Sequence, residues 1–390
     1  MDSDAVVVGA GPAGLAAAAC LIQRGLRPLV LERSTALAAA WRAHYERLHL
    51  HTVKTHSALP GLPFPDGAPR YVSRQGVVDY LEAYAAQHRI EPRLGEAVEA
   101  IVPADGGWQL STVAGRVYSA PAVVVATGAN NRPNRPAFAG EEVFMGRILH
   151  SGDYRNPQPF IGQRVLVVGM GNTGAEIALD LAEHRVKAAL SVRSPLNIVY
   201  RDVLGRPTQL TSMALARLPN AWGDAIARLL CTLTVGDTSR YGLQRSPMSP
   251  LRQLREHGRT PVIDVGTLAR IKAGEIAVHP GIERFTPNGV RFVDGQEAAF
   301  DAVVLATGYA AGIERLFPQT PVPLDRSGMP ADVVGRDELD GAYFVGFDLR
   351  QPGGLLRTIG LQAQQVAAEI AQRASRSFGG AFTDPAVAHR

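Results

Sequence analysis

Two six-residue runs carry the residue types that hold a phosphate with backbone alone, Gly9-Ala10-Gly11-Pro12-Ala13-Gly14 and Gly169-Met170-Gly171-Asn172-Thr173-Gly174. In such a run the first glycine permits a tight turn, the second lets the backbone approach a pyrophosphate, and the third lets the next helix pack closely. The N–H groups and positive dipole end of that helix then meet the anion without help from a charged side chain. The residues downstream of each run distinguish the two. Glu32 stands 18 positions after Gly14, with Arg33 beside it, where a carboxylate accepts from both hydroxyls of a ribose. The matching stretch after Gly174 ends in Ser191 and Arg193. An arginine fork with a neighbouring hydroxyl suits a 2′-phosphate, and the repelling carboxylate is missing. The first run therefore reads as an FAD site and the second as an NADPH site. Two Ala-Thr-Gly runs end apolar stretches and add Thr127, Gly128, Thr307 and Gly308 to the expected cofactor contacts.

A hydride passed from NADPH to a flavin needs an onward acceptor. Cys20 and Cys231 are the only cysteines, so an internal CxxC relay is excluded, which leaves oxygen, a quinone or a protein. Two remote thiols also argue against a disulfide framework and for a reducing compartment. His44, His49, His51 and His56 have neither the helical HxxxH spacing nor the cysteine partners of a metal site, and no metal is expected.

The elements that must position these residues are legible in outline. Ala5 to Val8 reads as a strand, followed by an alanine-rich helix to about Arg24, a stop at Gly25 and a second strand from Pro28. The pattern returns from Arg164 to Val168, with a helix to about His184 and a strand near Ala188 to Val192. Pro157 and Pro159 suit a crossover between domains. The runs from Pro121 to Gly128 and from Phe300 to Tyr309 each close an excursion from a sheet. The expected fold is α/β with two dinucleotide-binding, Rossmann-like domains, the NADPH domain inserted into a discontinuous FAD domain. Residues 1–157 and 300–390 form the FAD domain and 158–299 the NADPH domain. The stretch from Leu196 to Asp264 follows no regular period.

Composition agrees with two globular domains, since 390 residues with 46% hydrophobic and 19% charged content bury ordinary cores. The net charge of +4 comes from scattered basic residues, so neither nucleic acid nor a membrane is an expected partner. The apolar run from Ala5 to Ile22 is broken by Gly9, Gly11, Pro12 and Gly14, which suits a glycine turn rather than a membrane span or a signal peptide. A cytoplasmic protein acting on a small molecule is expected, and a homo-oligomer is compatible with every feature named.

Just before the second glycine run lies Phe144-Met145-Gly146-Arg147-Ile148-Leu149-His150-Ser151-Gly152-Asp153-Tyr154. This FxGxxxHxxxY pattern resembles the identifying motif of the flavin-containing monooxygenases. The chain is most similar to their YUCCA-type branch, through Arg47-Leu48-His49-Leu50-His51, the run from Gly169 to Leu181, Gly236-Asp237-Thr238-Ser239-Arg240-Tyr241-Gly242-Leu243 and Thr260-Pro261-Val262-Ile263-Asp264-Val265-Gly266-Thr267-Leu268. The resemblance implies that NADPH reduces FAD, that O2 forms a C4a-(hydro)peroxyflavin, and that one oxygen atom passes to a small organic substrate. Oxidative decarboxylation of an aryl 2-oxo acid such as indole-3-pyruvate is the favoured reaction. Heteroatom or Baeyer-Villiger ketone oxygenation is the alternative enzyme, and a non-catalytic flavin and NADPH sensor the alternative class. It also implies that His51, Thr52 and Lys54 lie at the reactive face of the flavin, that Trp41 flanks it, and that His150 and Tyr154, at the junction of the two domains, are structural supports, ahead of NADPH contacts, rather than proton carriers. Lys54, ahead of Arg350 and Arg357, is the expected cation for a substrate carboxylate. Two positions depart from the family. The amine- and sulfide-oxidising branch carries asparagine where His51 falls, and many relatives carry paired glycines where Ala38-Ala39-Ala40 precedes Trp41.

Overall fold

The strand Ala5–Val8 is wholly buried, as a continuous apolar run in a sheet covered on both faces should be. In the structure, a computed structural model that describes residues 3–379, this strand is the centre of a parallel sheet ordered Ala342–Phe344, Val123–Val125, Ala5–Val8, Pro28–Glu32 and Arg93–Leu94. Successive side chains point to opposite faces. Val7 and Val124 join the helix Pro12–Ile22 and the long C-terminal helix Leu355–Gly379 in one core. Val6, Val8, Val123 and Val125 meet Ile101, Trp108 and Leu110 of a small antiparallel sheet on the other side. The alanines of the first helix leave room for Ala363, Val366 and Ala367 of the last helix to pack closely against it.

The same plan recurs around Arg164–Val168. This strand lies within a parallel sheet ordered Arg147–His150, Ala302–Leu305, Arg164–Val168, Lys187–Ser191 and Ala277–His279. The helix Asn172–Glu183 covers one face. A second antiparallel sheet, from Ile282 to Ala299, covers the other through Phe285, Val290 and Phe292. In each unit the small sheet leads directly into the strand that ends in Ala-Thr-Gly, which is the excursion and return read from the sequence.

Two strands sit on the other side of the expected domain boundaries. With divisions at 157/158 and 299/300, Arg147–His150 and Ala302–Leu305 would belong to the FAD domain, but their hydrogen bonds place both in the second sheet. The reason is mutual: Val303 and Leu305 face the second unit's core, and Ile148 packs against the same cluster. Of the expected FAD segments, residues 1–2 and 380–390 lie outside the described residues. Among the described residues no helix is long and apolar enough to cross a membrane.

Candidate active site

The two glycine loops are built alike. Gly9 has φ +109°, and a Cβ there would lie 2.6 Å from the Ala126 carbonyl oxygen. Gly169 has φ +97°, with the Ala306 carbonyl oxygen 2.7 Å away. A Cβ on Gly14 or Gly174 would lie 1.8 or 2.0 Å from the carbonyl oxygen of Gly9 or Gly169, so the third glycine permits the helix to close on the turn. Around Gly11 and Gly171 a Cβ would meet nothing within 4 Å, and this is the side from which a phosphate approaches. The helices Pro12–Ile22 and Asn172–Glu183 begin without side-chain caps, which leaves first-turn N–H groups, including those of Ala13 and Thr173, for an anion.

Beyond the loops the units diverge. Glu32 is buried and accepts from the N–H of Ala10 at 2.7 Å and of Ser34 at 2.9 Å. Its carboxylate ties the loop to the strand end, and each oxygen keeps a lone pair for a ribose hydroxyl. Arg33 is exposed beside it. The Thr127 hydroxyl is buried without a partner, and Gly128, at φ +86°, opens onto free space. An orphaned hydroxyl, open backbone and a carboxylate with spare acceptor capacity fit an adenine dinucleotide carrying FAD. Trp41 is half-buried, edge-on to His44 at 5.9 Å. Ala38, in the alanine run before Trp41, is left-handed at φ 54°, and its N–H points at the Ala10 carbonyl, 3.4 Å away.

In the second unit Asn172 pins the loop to the next layer, donating to the Pro261 carbonyl at 3.3 Å and accepting from the Ile263 N–H at 2.7 Å. Arg193 is exposed, its Cβ against Gly281, and can meet a 2′-phosphate. Ser191 is turned inward, where its hydroxyl donates to the Pro280 carbonyl at 2.8 Å. The expected pair therefore reduces to Arg193, because Ser191 ends its strand with its hydroxyl taken by the Pro280 carbonyl, while Arg193 lies past the strand end and is exposed. Thr307 and Gly308 are also spoken for. The Thr307 hydroxyl donates to the Asn134 carbonyl, the Asn134 N–H donates to the Gly308 carbonyl at 2.9 Å, and His150 Nε2 donates to the same carbonyl at 3.1 Å. These groups hold the crossover segment rather than present themselves to a cofactor.

The FxGxxxHxxxY residues are structural by geometry. Phe144 packs on Phe285 at 5.3 Å between ring centres. Gly146 has no room for a side chain, since a Cβ would lie 2.6 Å from the Asp301 carbonyl oxygen. His150 is buried, and burial lowers its affinity for a proton. Its Nδ1 accepts from the Gly152 N–H at 3.1 Å, so the ring is neutral with the proton on Nε2. Tyr154 is buried and donates to Asp180 Oδ2 at 2.8 Å on the second glycine helix. Burial foremost, then the Asp180 charge, pushes its hydroxyl far above the ordinary tyrosine range.

The segment from His44 to Ser57 runs from the flavin unit to that same helix. His51 Nε2 lies 2.7 Å from Glu176 Oε1 without hydrogen-bond alignment, and Nδ1 is buried without a partner. The Thr52 hydroxyl is 2.7 Å from that of Ser57, and its methyl lies against Gly354, where a Cβ would be 2.5 Å away. Both line a cavity of about 400 Å³ whose other walls are Val199, Leu215, Leu230, Leu251, Ile263 and Leu349. Lys54 does not line it. Its ammonium donates to the carbonyls of Pro65, Asp66 and Ala68 at 3.2, 2.6 and 2.7 Å, which uses all three donors of a lysine, and this corrects its expected role. Arg350 likewise pairs with Asp348 at 3.1 Å. The cavity wall comes mostly from residues 199–263, the stretch without a readable period. The hydroxyl-bearing run Thr208, Thr211 and Ser212 and the pair Gly353-Gly354, all on the wall, were the signal present in the sequence.

The model of the family described as flavin-binding monooxygenase-like matches residues 3–318. Indole-3-pyruvate monooxygenase YUCCA1 of Oryza sativa subsp. japonica is 42% identical over 363 residues, which cover 91% of this chain and 88% of that protein. Probable indole-3-pyruvate monooxygenase YUCCA1 of Arabidopsis thaliana is 37% identical, with 94% and 89% covered. A flavin-containing monooxygenase from Stenotrophomonas maltophilia has the same fold, with a TM-score of 0.73 at 24% identity over 96% of this chain and 100% of that one. So does a bacillithiol disulfide reductase from Bacillus cereus, with a TM-score of 0.70 at 18% identity over 96% and 100%. The fold therefore serves more than one chemistry, and the family match is what distinguishes them. The chain belongs to the flavin-binding monooxygenase-like family and is a flavin-dependent monooxygenase that uses FAD and NADPH.

Proposed function

We propose that the enzyme oxidatively decarboxylates an aryl 2-oxo acid, with indole-3-pyruvate as the leading substrate. The observation that carries the reading is the 42% identity, across 91% of the chain, to a relative named as an indole-3-pyruvate monooxygenase. The predominantly apolar cavity beside His51 and Thr52 has the size and lining of a small-molecule site. The balance is one 2-oxo acid, O2, NADPH and a proton giving the acid one carbon shorter, CO2, water and NADP+. Bound FAD supplies the two-electron chemistry between nicotinamide and oxygen.

The protein's own task is positional. The loop at Gly9, Gly11 and Gly14 would hold the FAD pyrophosphate, Glu32 its ribose, and Arg193 the 2′-phosphate of NADPH. Asn172 fixes the second loop against the cavity wall. The contact of His51 with Glu176 joins the segment that leaves the flavin unit to the nicotinamide helix, and Tyr154, packed in the second unit's core, braces that helix through Asp180. The apolar wall excludes water from the reacting atoms. On this reading the FAD domain comprises residues 1–157 and 300–390 apart from their two strands in the second sheet, and the enzyme acts in the cytoplasm without a nucleic-acid or membrane partner.

The test is turnover of the FAD-loaded enzyme with NADPH and indole-3-pyruvate under heavy-isotope oxygen. Indole-3-acetate carrying one labelled oxygen, with CO2 released in equal amount, is expected. Oxygenation of sulfides or ketones with no decarboxylation of any aryl 2-oxo acid would overturn the reading.

A further inference from the structure

We propose that Arg201 receives the carboxylate of the substrate. This assignment rests on the aryl 2-oxo acid reading above and names the group that recognises the acid. Arg201 directly follows the strand Ile198–Tyr200, which pairs in register with Val262–Asp264. Its own N–H donates to the Asp264 carbonyl at 3.1 Å, so the backbone beneath the side chain is fixed. The residue lines the cavity together with His51 and Thr52.

The guanidinium is preorganised. Its central carbon lies 4.0 Å from the centre of the Tyr71 ring, a cation–π contact that holds the planar group in place. Tyr71 is itself anchored, donating to Asp202 Oδ1 at 2.7 Å. Yet Arg201 is incompletely satisfied. Its Nε is buried with no hydrogen-bond partner, and the nearest carboxylate oxygen, Asp202 Oδ2, is 3.5 Å away. Asp202 is shared, since its Oδ1 takes the Tyr71 hydroxyl and lies 3.5 Å from Arg70 Nη1. A buried guanidinium N–H left without an acceptor is costly in a finished fold and is what a carboxylate ligand would relieve.

The other cations fail on geometry, Arg357 among them because it is absent from the cavity wall. Lys54 spends its donors on three carbonyls, Arg350 is committed to Asp348, and Arg206 is exposed on the hairpin Asp202–Pro207. Asp348, the one acid among the lining residues, faces that arginine partner rather than standing free to repel an anion. A largely apolar chamber with one preorganised fork matches an aryl body that ends in a carboxylate.

The test measures turnover of phenylpyruvate on FAD-loaded wild type, Arg201→Met and Arg201→Lys. Phenylacetate, phenylacetamide and the methyl ester of phenylpyruvate, which has no ionised carboxylate to release as CO2, serve as inhibitors. Removing a charge-assisted fork is expected to raise KM for the acid about tenfold to a hundredfold, and the inhibition constant of phenylacetate in parallel. The inhibition constants of the ester and the amide should shift less than about threefold. Arg201→Lys keeps the charge without the fork, should fall between, and carries the comparison if Arg201→Met loses its flavin. A wild type that decarboxylates phenylpyruvate while both variants keep its KM for the acid and its inhibition constant for phenylacetate overturns the Arg201 assignment alone. A wild type that neither turns over nor binds these acids overturns the substrate reading and the assignment with it.

Discussion

The two dinucleotide units are nearly superimposable in plan and opposite in how they finish. Each has a central strand, a glycine turn and a helix over one face, with a small antiparallel sheet on the other that returns as an Ala-Thr-Gly strand. In the first, Thr127 is left without a partner and Glu32 faces the loop with acceptor capacity to spare. In the second, Thr307, Gly308 and Ser191 are consumed by Asn134, His150 and Pro280. The first unit keeps its polar ends for a ligand. The second spends several of its own on holding the crossover, and leaves Arg193 exposed beyond the strand end. Cores of the same plan thus tolerate different duties, because the duties lie at strand ends, where one side chain can be turned in or out without disturbing the sheet.

The largest expected effect tests whether the loops are equivalent. Gly9→Ala and Gly169→Ala each force a side chain into a positive-φ position against a backbone carbonyl, a combination of strain and overpacking of about 2–4 kcal/mol. Gly9→Ala should purify without flavin. Gly169→Ala should keep its flavin, read from visible absorbance, and lose NADPH affinity in titration. Equal loss of flavin in both would break the division of labour.

The strand-end contrast is sharpened by charge. Arg193→Ala should reduce the preference for NADPH over NADH about tenfold, measured as the ratio of kcat/KM for flavin reduction. Glu32→Gln should leave that ratio alone and weaken FAD binding. An unchanged nicotinamide preference in Arg193→Ala would remove the arginine from the 2′-phosphate.

His150 has no counterpart in the first unit, and its contribution has a definite sign with pH. Burial holds its folded pKa below the ordinary 6.5, so its stabilisation is present above that value and is lost as pH falls from 6.5 through the folded pKa. Chemical denaturation across this window should show wild type losing stability relative to His150→Gln on acidification. Parallel curves for the two proteins would contradict a neutral His150 in the fold.

The smallest effect concerns Ala38, the left-handed alanine against the first loop. Ala38→Gly relieves a conformation that costs an L-residue about 1 kcal/mol and should raise the thermal midpoint by a few degrees. A lower midpoint would mean that the buried methyl is worth more in packing than its backbone costs.

Much of the fold is legible in the chain because it is local. Glycine spacing, the valine strands and the alanine helix are set by sterics and burial within some thirty residues, and the signature from Phe144 to Tyr154 is a contiguous string whose members then find fixed partners. Pairing across distance is not legible in the same way. Nothing in Arg147–His150 says that it completes a sheet with Ala302–Leu305, because hydrogen bonding between strands is satisfied by any compatible edge and only the packed faces choose it.

Side-chain direction is the other limit. Lys54 stands in the right loop, and Ser191 at the right strand end, yet neighbouring carbonyls capture both. Arg201 lies in the stretch without a period and becomes part of the cavity wall through its strand pairing and the Tyr71 ring. The chain alone determined where the two glycine turns fall and how closely each helix packs on its turn, since such a turn is backbone geometry written in glycine. Which charged and hydroxyl groups remain free for chemistry was decided by the folded whole, because a donor's availability depends on every acceptor within about 3 Å, and those acceptors come from remote parts of the sequence.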